Sequence, residues 1–110
     1  MALATQTIDG IGVIEIDVKA LDADSVGEVR KYLDATIAEN PKVVLDLTGL
    51  NFIDSSGLGA LISSLRQAKA AGGDLKLCNL SKPVRAMFEL VRMHKVIDLL
   101  ATCADALASF

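Results

Sequence analysis

Apolar positions along this chain repeat with two different periods, and the switches between them mark its elements. Near the start, Thr-Gln-Thr-Ile and Ile-Gly-Val-Ile-Glu-Ile flank Asp9-Gly10, and Asp-Gly supplies the positive φ angles that a two-residue hairpin turn demands. Two strands are expected, over about residues 3–8 and 11–18. Val26, Val29, Leu33 and Ile37 then recur at three- and four-residue steps, the stripe of an amphipathic helix. Ser25-Val26-Gly27-Glu28 fits a capping box at its start, and Asn40-Pro41 stops it. Val43, Val44, Leu45 and Leu47 form a nearly continuous apolar run, the pattern of a strand covered on both faces. Helical spacing returns with Leu58, Leu61, Ile62 and Leu65 and ends at Gly72-Gly73. LKLCNL, residues 75–80, reads as another short strand. Ser81-Lys82-Pro83 reads as a cap with proline in the first turn, leading Val84, Met87, Phe88 and Val91 along one face. A strand stub at Val96 to Leu99 and a last helix from Ala101 complete the series.

After the hairpin, strand and helix alternate. That order predicts an α/β fold: one domain over residues 1–110 with a mixed, mostly parallel sheet covered by helices through right-handed crossovers. A chain of 110 residues buries roughly two thirds of its unfolded surface, enough for one core without staples. Hydrophobic residues at 52% and charged residues at 23% give the profile of a globular protein. The net charge of -3 leaves no basic footprint for nucleic acid or an anionic membrane surface. No apolar run approaches the roughly 18 residues of a spanning helix, and MALATQTIDG lacks the charged and apolar regions of a signal peptide. A cytoplasmic location is expected. Cys78 and Cys103 lie in the apolar settings LKLCNL and LATCAD without CxxC spacing, and His94 is the one histidine. Both cysteines are expected as small buried hydrophobes, so neither metal, disulfide nor cofactor is predicted. His94 is expected as a polar residue at a helix end, where a cation suits the dipole.

The stretch Asp54-Ser55-Ser56-Gly57-Leu58-Gly59 sets small polar residues where a buried strand gives way to a helix. A phosphate loop would need a lysine followed by serine or threonine, a dinucleotide fingerprint a third glycine, and a nucleophile elbow a serine flanked by glycines. None is present, and catalysis is not expected. Capping alone explains much of the motif, because Asp and Ser are both favoured caps, with Ser56 the preferred one, and Gly57 and Gly59 allow a tight junction. Position adds to it, because the carboxyl ends of parallel strands gather on one edge, where sites form. Asp54, Ser55 and Ser56 are expected there, beside the loop bearing Asp22 and Asp24.

The segment LDLTGLNFIDSSGLGALISSLRQAKAAGGDLKLCNLSKPVRAMFELVRMHKVIDL resembles the heart of a STAS domain of the anti-sigma factor antagonist type, and KALDADSVGEVRKYLD extends the resemblance toward the hairpin. The resemblance implies a phosphorylation-switched binding module. Ser55 matches the serine phosphorylated in the family by a serine kinase, often the anti-sigma factor itself, of the histidine-kinase-like ATPase type. A metal-dependent serine phosphatase reverses the modification, and the unphosphorylated antagonist sequesters the kinase. Asp54 precedes the serine as the pattern requires, and Asp22 matches a family acid beside it; Ser56 is the second candidate acceptor. The expected partner surface comprises Asp22, Asp54, Ser55, Ser56, Gly57, Gly59, Ala60 and Ser63. Its helical part is a smooth flank that a plain solvated face explains equally well. Val18-Lys19-Ala20-Leu21-Asp22 departs from the Gly-Glu-Leu-Asp-like turn common in the family, which implies a loop tuned to a different kinase. A scaffold or lipid-transport accessory role of the same fold, with Ser55 unmodified, is the alternative.

Overall fold

In the computed structural model, which describes residues 2–110, β1 (Ala2–Ile8) and β2 (Ile11–Asp17) pair antiparallel. Asp9 and Gly10 turn the chain between them at φ 53° and 79°, the mirror-image turn that matches strand twist. A two-residue strand β3 (Ala20–Leu21) leads to α1 (Val26–Glu39), then β4 (Lys42–Asp46), a second two-residue strand β5 (Phe52–Ile53) and α2 (Ser55–Ala70). β6 (Asp74–Cys78), α3 (Lys82–Leu90), a 3-10 turn at Met93–Lys95, β7 (Asp98–Leu100) and α4 (Cys103–Ala108) follow. The main sheet runs β1-β2-β4-β6-β7, parallel from β2 onward, which is the predicted mixed, mostly parallel α/β arrangement. β3 and β5 form a separate parallel pair.

The apolar run of β4 is covered on both faces, as its pattern required: Val43, Val44 and Leu45 are each 0% exposed. Val43 and Leu45 join Leu75 and Leu77 of β6 in the main core, which receives Val29, Leu33 and Ile37 from α1, Leu58, Leu61 and Leu65 from α2, and Val84 and Phe88 from α3. Val44 and Cys78 belong to a second cluster with Ile11, Val13 and Ala106 of α4. Lys76 shares that side of β6 and is 6% exposed. Its Nζ donates to the Ser109 carbonyl at 2.9 Å and to Ser109 Oγ at 2.8 Å, lies 3.4 Å from Asp98, and stands 4.7 Å from the Phe110 ring centre. A cation on the last carbonyls of a helix compensates its dipole. Lys76 therefore fastens the far end of α4 to the sheet.

Three local expectations change. Ser25 makes no side-chain cap bond to α1. Its hydroxyl instead donates to the Ala20 carbonyl at 2.8 Å and accepts from Asp22 N–H at 3.1 Å, so the loop ahead of the helix claims it. Val91 lies at the C-cap of α3 rather than within it and is exposed; Arg92, at φ 61°, has already left the helical path. The last strand spans Asp98–Leu100, leaving Val96 exposed, and α4 begins at Cys103 behind a Thr102 cap. His94 sits half-buried in the 3-10 turn, with Nδ1 buried and unpartnered among the described residues.

The end of α2 follows Gly72-Gly73 as expected. Gly72, at φ 87°, donates to the Lys69 carbonyl at 3.1 Å and Gly73 to the Ala68 carbonyl at 2.9 Å, the paired bonds of a Schellman motif. Gly73 also leaves no room for a side chain, because an added Cβ would lie 2.0 Å from the Pro41 carbonyl oxygen. Forced overpacking of this kind costs about 1–3 kcal/mol or more. Gly73→Ala is expected to lower stability by at least about 2 kcal/mol in urea unfolding, and an unchanged midpoint would show that the α2–β6 junction relaxes freely.

Candidate functional site

Asp54 does not follow β4 directly, as the apolar run suggested. Leu47 to Asn51 form a loop, and the chain then adds β5 to β3 in parallel, Ala20 beside Phe52 and Leu21 beside Ile53. Asn51 N–H donates to the Lys19 carbonyl at 2.7 Å and Asp54 N–H to the Leu21 carbonyl at 3.2 Å. This register sets Asp22 and Asp54 side by side, each one residue beyond the paired Leu21 and Ile53. The strand-to-helix junction was legible in the sequence, but the strand concerned is the short β5.

Asp54 is the cap of α2, in place of Ser56. Its backbone is extended, φ −107° and ψ −173°, and its Oδ1 accepts the Gly57 N–H at 3.1 Å. The first helical bond, Leu58 N–H to the Asp54 carbonyl, is 3.0 Å. Both residues are favoured caps, and the β5 pairing decides between them by holding Asp54 in the extended conformation that a cap requires. Ser55 and Ser56 become the first two helical residues, and both are exposed. Their N–H groups are among those that a helix leaves without an intrahelical acceptor.

Asp22 is half-buried, and its Oδ1 accepts from Asp24 N–H at 3.0 Å and Ser25 N–H at 3.2 Å. It shapes the entry to α1 as Asp54 shapes the entry to α2. Along α2, Gly59 and Gln67 are exposed with Ser56, whereas Ser63 is half-buried and accepts from Arg30 Nη2 at 2.7 Å. Ala60 is only 8% exposed and packs inward, so the smooth flank is narrower than its spacing suggested. Beside it, Ser64 Oγ donates to Asp34 Oδ1 at 2.9 Å, and Arg30 lies 3.4 Å from Asp34 Oδ2. The Arg30–Ser63 and Asp34–Ser64 bonds tie α1 and α2 together, and the Arg30–Asp34 pair lies within α1. Phe52, 53% exposed two residues before Asp54, is not legible from the sequence, because an aromatic on a two-residue strand carries no periodicity to show which way it faces.

Grooves of about 270, 450 and 530 Å³ are lined mainly from β1, β2, α1 and α4, away from the start of α2. At that terminus Ser55 and Ser56 are both exposed. No helix among the described residues is long and apolar enough to cross a membrane.

The family model for the STAS domain matches residues 2–106. This chain belongs to the STAS domain family. It is 28% identical over 89 residues to an anti-sigma F factor antagonist of Paenibacillus polymyxa, covering 79% of this chain and 76% of the relative. To an anti-sigma-B factor antagonist of Bacillus subtilis it is 28% identical over 81 residues, 74% of each chain. The solved structure of the anti-sigma factor antagonist SpoIIAA in its unphosphorylated form superposes with a TM-score of 0.76 at 25% identity, covering 96% of this chain and 93% of that one. A structure of the Bacillus SpoIIAA in its phosphorylated form gives 0.71 at 23% identity, covering 98% of each.

Within this STAS domain the two glycines of the motif differ in kind. A Cβ at Gly57 would lie 2.5 Å from the Leu21 carbonyl oxygen and 2.7 Å from Ile53 Cγ1; the bare backbone is what lets α2 press against the β3–β5 pair. Gly59 meets nothing within 4 Å and so is not needed for the junction. Gly57→Ala is expected to destabilise by about 1–3 kcal/mol through overpacking. Gly59→Ala should stabilise by about 0.5–1 kcal/mol, the usual gain at an exposed helical glycine. Thermal unfolding of the two variants checks the contrast, and a loss of stability in both would refute the open setting of Gly59.

Proposed function

We propose that this STAS domain is an anti-sigma factor antagonist, a binding module that sequesters a serine kinase of the histidine-kinase-like ATPase type and releases it when Ser55 is phosphorylated. A metal-dependent serine phosphatase resets it. The observation that carries the reading is the setting of Ser55: exposed, first in α2, beside a cap that another residue already supplies. The names of the relatives, and the existence of SpoIIAA in both phosphorylation states, support it. Ser56, equally exposed, is the second candidate acceptor.

A phosphate adds about -1.5 to -2 charge at pH 7 and three strong acceptor oxygens. At the first helical position those oxygens meet free N–H groups and the positive end of the dipole, so the modification favours the folded helix. The cost appears in the complex instead. With Asp54 preceding it and Asp22 alongside, the new charge makes an acidic surface strongly acidic, and a kinase packed over it has to bury that charge. Reversing a population from 1:99 to 99:1 takes about 5.5 kcal/mol of differential binding. A buried unpaired charge reaches about 2–5 kcal/mol or more, whereas a rim charge costs far less. Ser55 therefore belongs inside the interface, with Asp22, Asp54, Ser56, Gly59 and the edge of Ser63 around it, while Gly57 and Ala60 support it from beneath. Phe52 provides the exposed aromatic anchor that such interfaces favour.

The test is binding to the cognate serine kinase, with phosphopeptide mapping after incubation with ATP. Ser55→Ala is expected to stay folded, escape phosphorylation and bind permanently. Ser55→Asp should bind roughly 30-fold or more weakly, the equivalent of about 2 kcal/mol. Equal affinity of the two variants, or phosphate mapped elsewhere, overturns the switch. Phe52→Ala should weaken binding by about tenfold or more with little change in Tm, and unchanged affinity would remove Phe52 from the interface.

A further inference from the structure

Away from the start of α2 the structure gathers a second set of reactive groups. Cys78 ends β6 and Cys103 opens α4, and their Sγ atoms lie 2.8 Å apart as free thiols. Cys78 is buried as expected, but Cys103 is only half-buried, and no spacing rule links two cysteines this far apart in the chain. The pairing of β6 with β7 does so, setting Cys78 beside Leu100, after which Thr102 caps α4 by accepting the Asp105 N–H at 3.1 Å. α4 is thus held to β6 at both ends, through Lys76 at its finish and Cys103 at its start.

We propose that Cys78 and Cys103 form a redox modification site, a dithiol that a small disulfide oxidant closes to an intrachain disulfide, fastening the C-terminal helix covalently to the sheet. The separation favours this over a metal centre. A disulfide needs sulfurs about 2.05 Å apart, an approach of less than about an ångström from where they stand. Tetrahedral zinc–thiolate bonds of about 2.3 Å hold sulfurs about 3.8 Å apart. Asp46, Cys78 and Cys103, whose ligand atoms lie within 4.8 Å of one another, would have to spread to accept such an ion. One oxygen of the Asp46 carboxylate is moreover already engaged. Its Oδ1 accepts from Thr48 N–H at 3.0 Å, Thr48 Oγ1 at 2.6 Å and Asn79 Nδ2 at 3.1 Å.

Access and order follow from burial. Cys103 lines a groove of about 530 Å³ together with Glu15, Asp46 and Leu107, so it meets the oxidant first and Cys78 resolves. The Cys103 thiol points toward Asp46 Oδ2 at 3.5 Å. It loses its proton, its thiolate attacks one sulfur of the oxidant, and the first half of the oxidant leaves and is protonated. Cys78 then gives up its proton, its thiolate attacks Cys103 Sγ to form the protein disulfide, and the second half of the oxidant leaves and takes up a proton as a thiol. Two protein thiols are oxidised, and one external disulfide is reduced to two thiols. Burial pushes both thiols up, and at Cys103 the Asp46 and Glu15 carboxylates push further. The thiolate is therefore scarce at neutral pH, and the acidic mouth favours a neutral oxidant over an anionic one.

The full chain treated with 2-hydroxyethyl disulfide, which is neutral, tests the proposal by intact mass and thiol counting. Both thiols should disappear together with a mass lower by two hydrogens, reversibly on reduction and faster than with anionic glutathione disulfide. Amide exchange in α4 should slow, and Tm should rise by roughly 5–10 °C. Cys78→Ser should halt at a mixed adduct on Cys103, and Cys103→Ala should leave Cys78 unreacted. Thiols that stay free, a parent chain that stops at the mixed adduct, or a disulfide-linked dimer overturns the proposal. A closed bond that leaves α4 exchange and Tm unchanged overturns the fastening.

Discussion

Burying both faces of β4 and β6 is the constraint from which the rest of the architecture follows. A strand with apolar residues at successive positions cannot leave either side to water. One side takes α1, α2 and α3; the other receives the six-residue α4. Parallel pairing of these strands carries each crossover back over the sheet and brings the carboxyl ends of β2 and β4 to one edge. From that edge two loops run outward and meet as the β3–β5 pair, and the helix that starts there inherits its position from the core. The start of α2 is accordingly a surface feature with a buried foundation.

Much of this was legible from the chain because the relevant signals are periodic or local. The apolar run at Val43 to Leu45, the helical stripes through Leu33 and Leu61, the Asp9-Gly10 turn and the Gly72-Gly73 stop each act within a few residues, and each appears where expected. The failures share a different cause. Strands of two residues have no period to detect, so β3 and β5 were invisible, and with them the outward-facing Phe52. Ser25 and Ser56 are favoured caps by residue type, yet a cap also requires the right backbone conformation and an uncommitted side chain. Ala20 claims the Ser25 hydroxyl, and the β5 pairing gives the extended conformation to Asp54. The meeting of Cys78 with Cys103, and of Lys76 with Ser109, depends on sheet register and helix docking, which no local rule encodes.

Polar contacts complete what the core begins. Asp22 and Asp54 each hold the first turn or entry loop of a helix through their own carboxylates, and those helices are joined along their length by Arg30, Asp34, Ser63 and Ser64. Ser64 is fully buried, so its bond to Asp34 is made where an unpaired hydroxyl would be costly. The two acids are therefore spaced by backbone bonds between β3 and β5 at their base and by side-chain bonds between α1 and α2 at their flank.

This double bracing bears directly on how a charge placed at Ser55 would act. An added phosphate on a mobile loop could swing away from neighbouring carboxylates and dissipate the repulsion locally. At Ser55 that relief is closed off: Asp54 cannot turn aside without releasing the Gly57 N–H, and Gly57 cannot shift while its backbone lies against Leu21. Asp22 cannot withdraw without undoing the turn into α1. The phosphate itself gains from the helix N-terminus and stays. On the proposed function the conflict is thus passed to the one component that can leave, the partner, and a rigid surface converts a single modification into release more completely than a compliant one would.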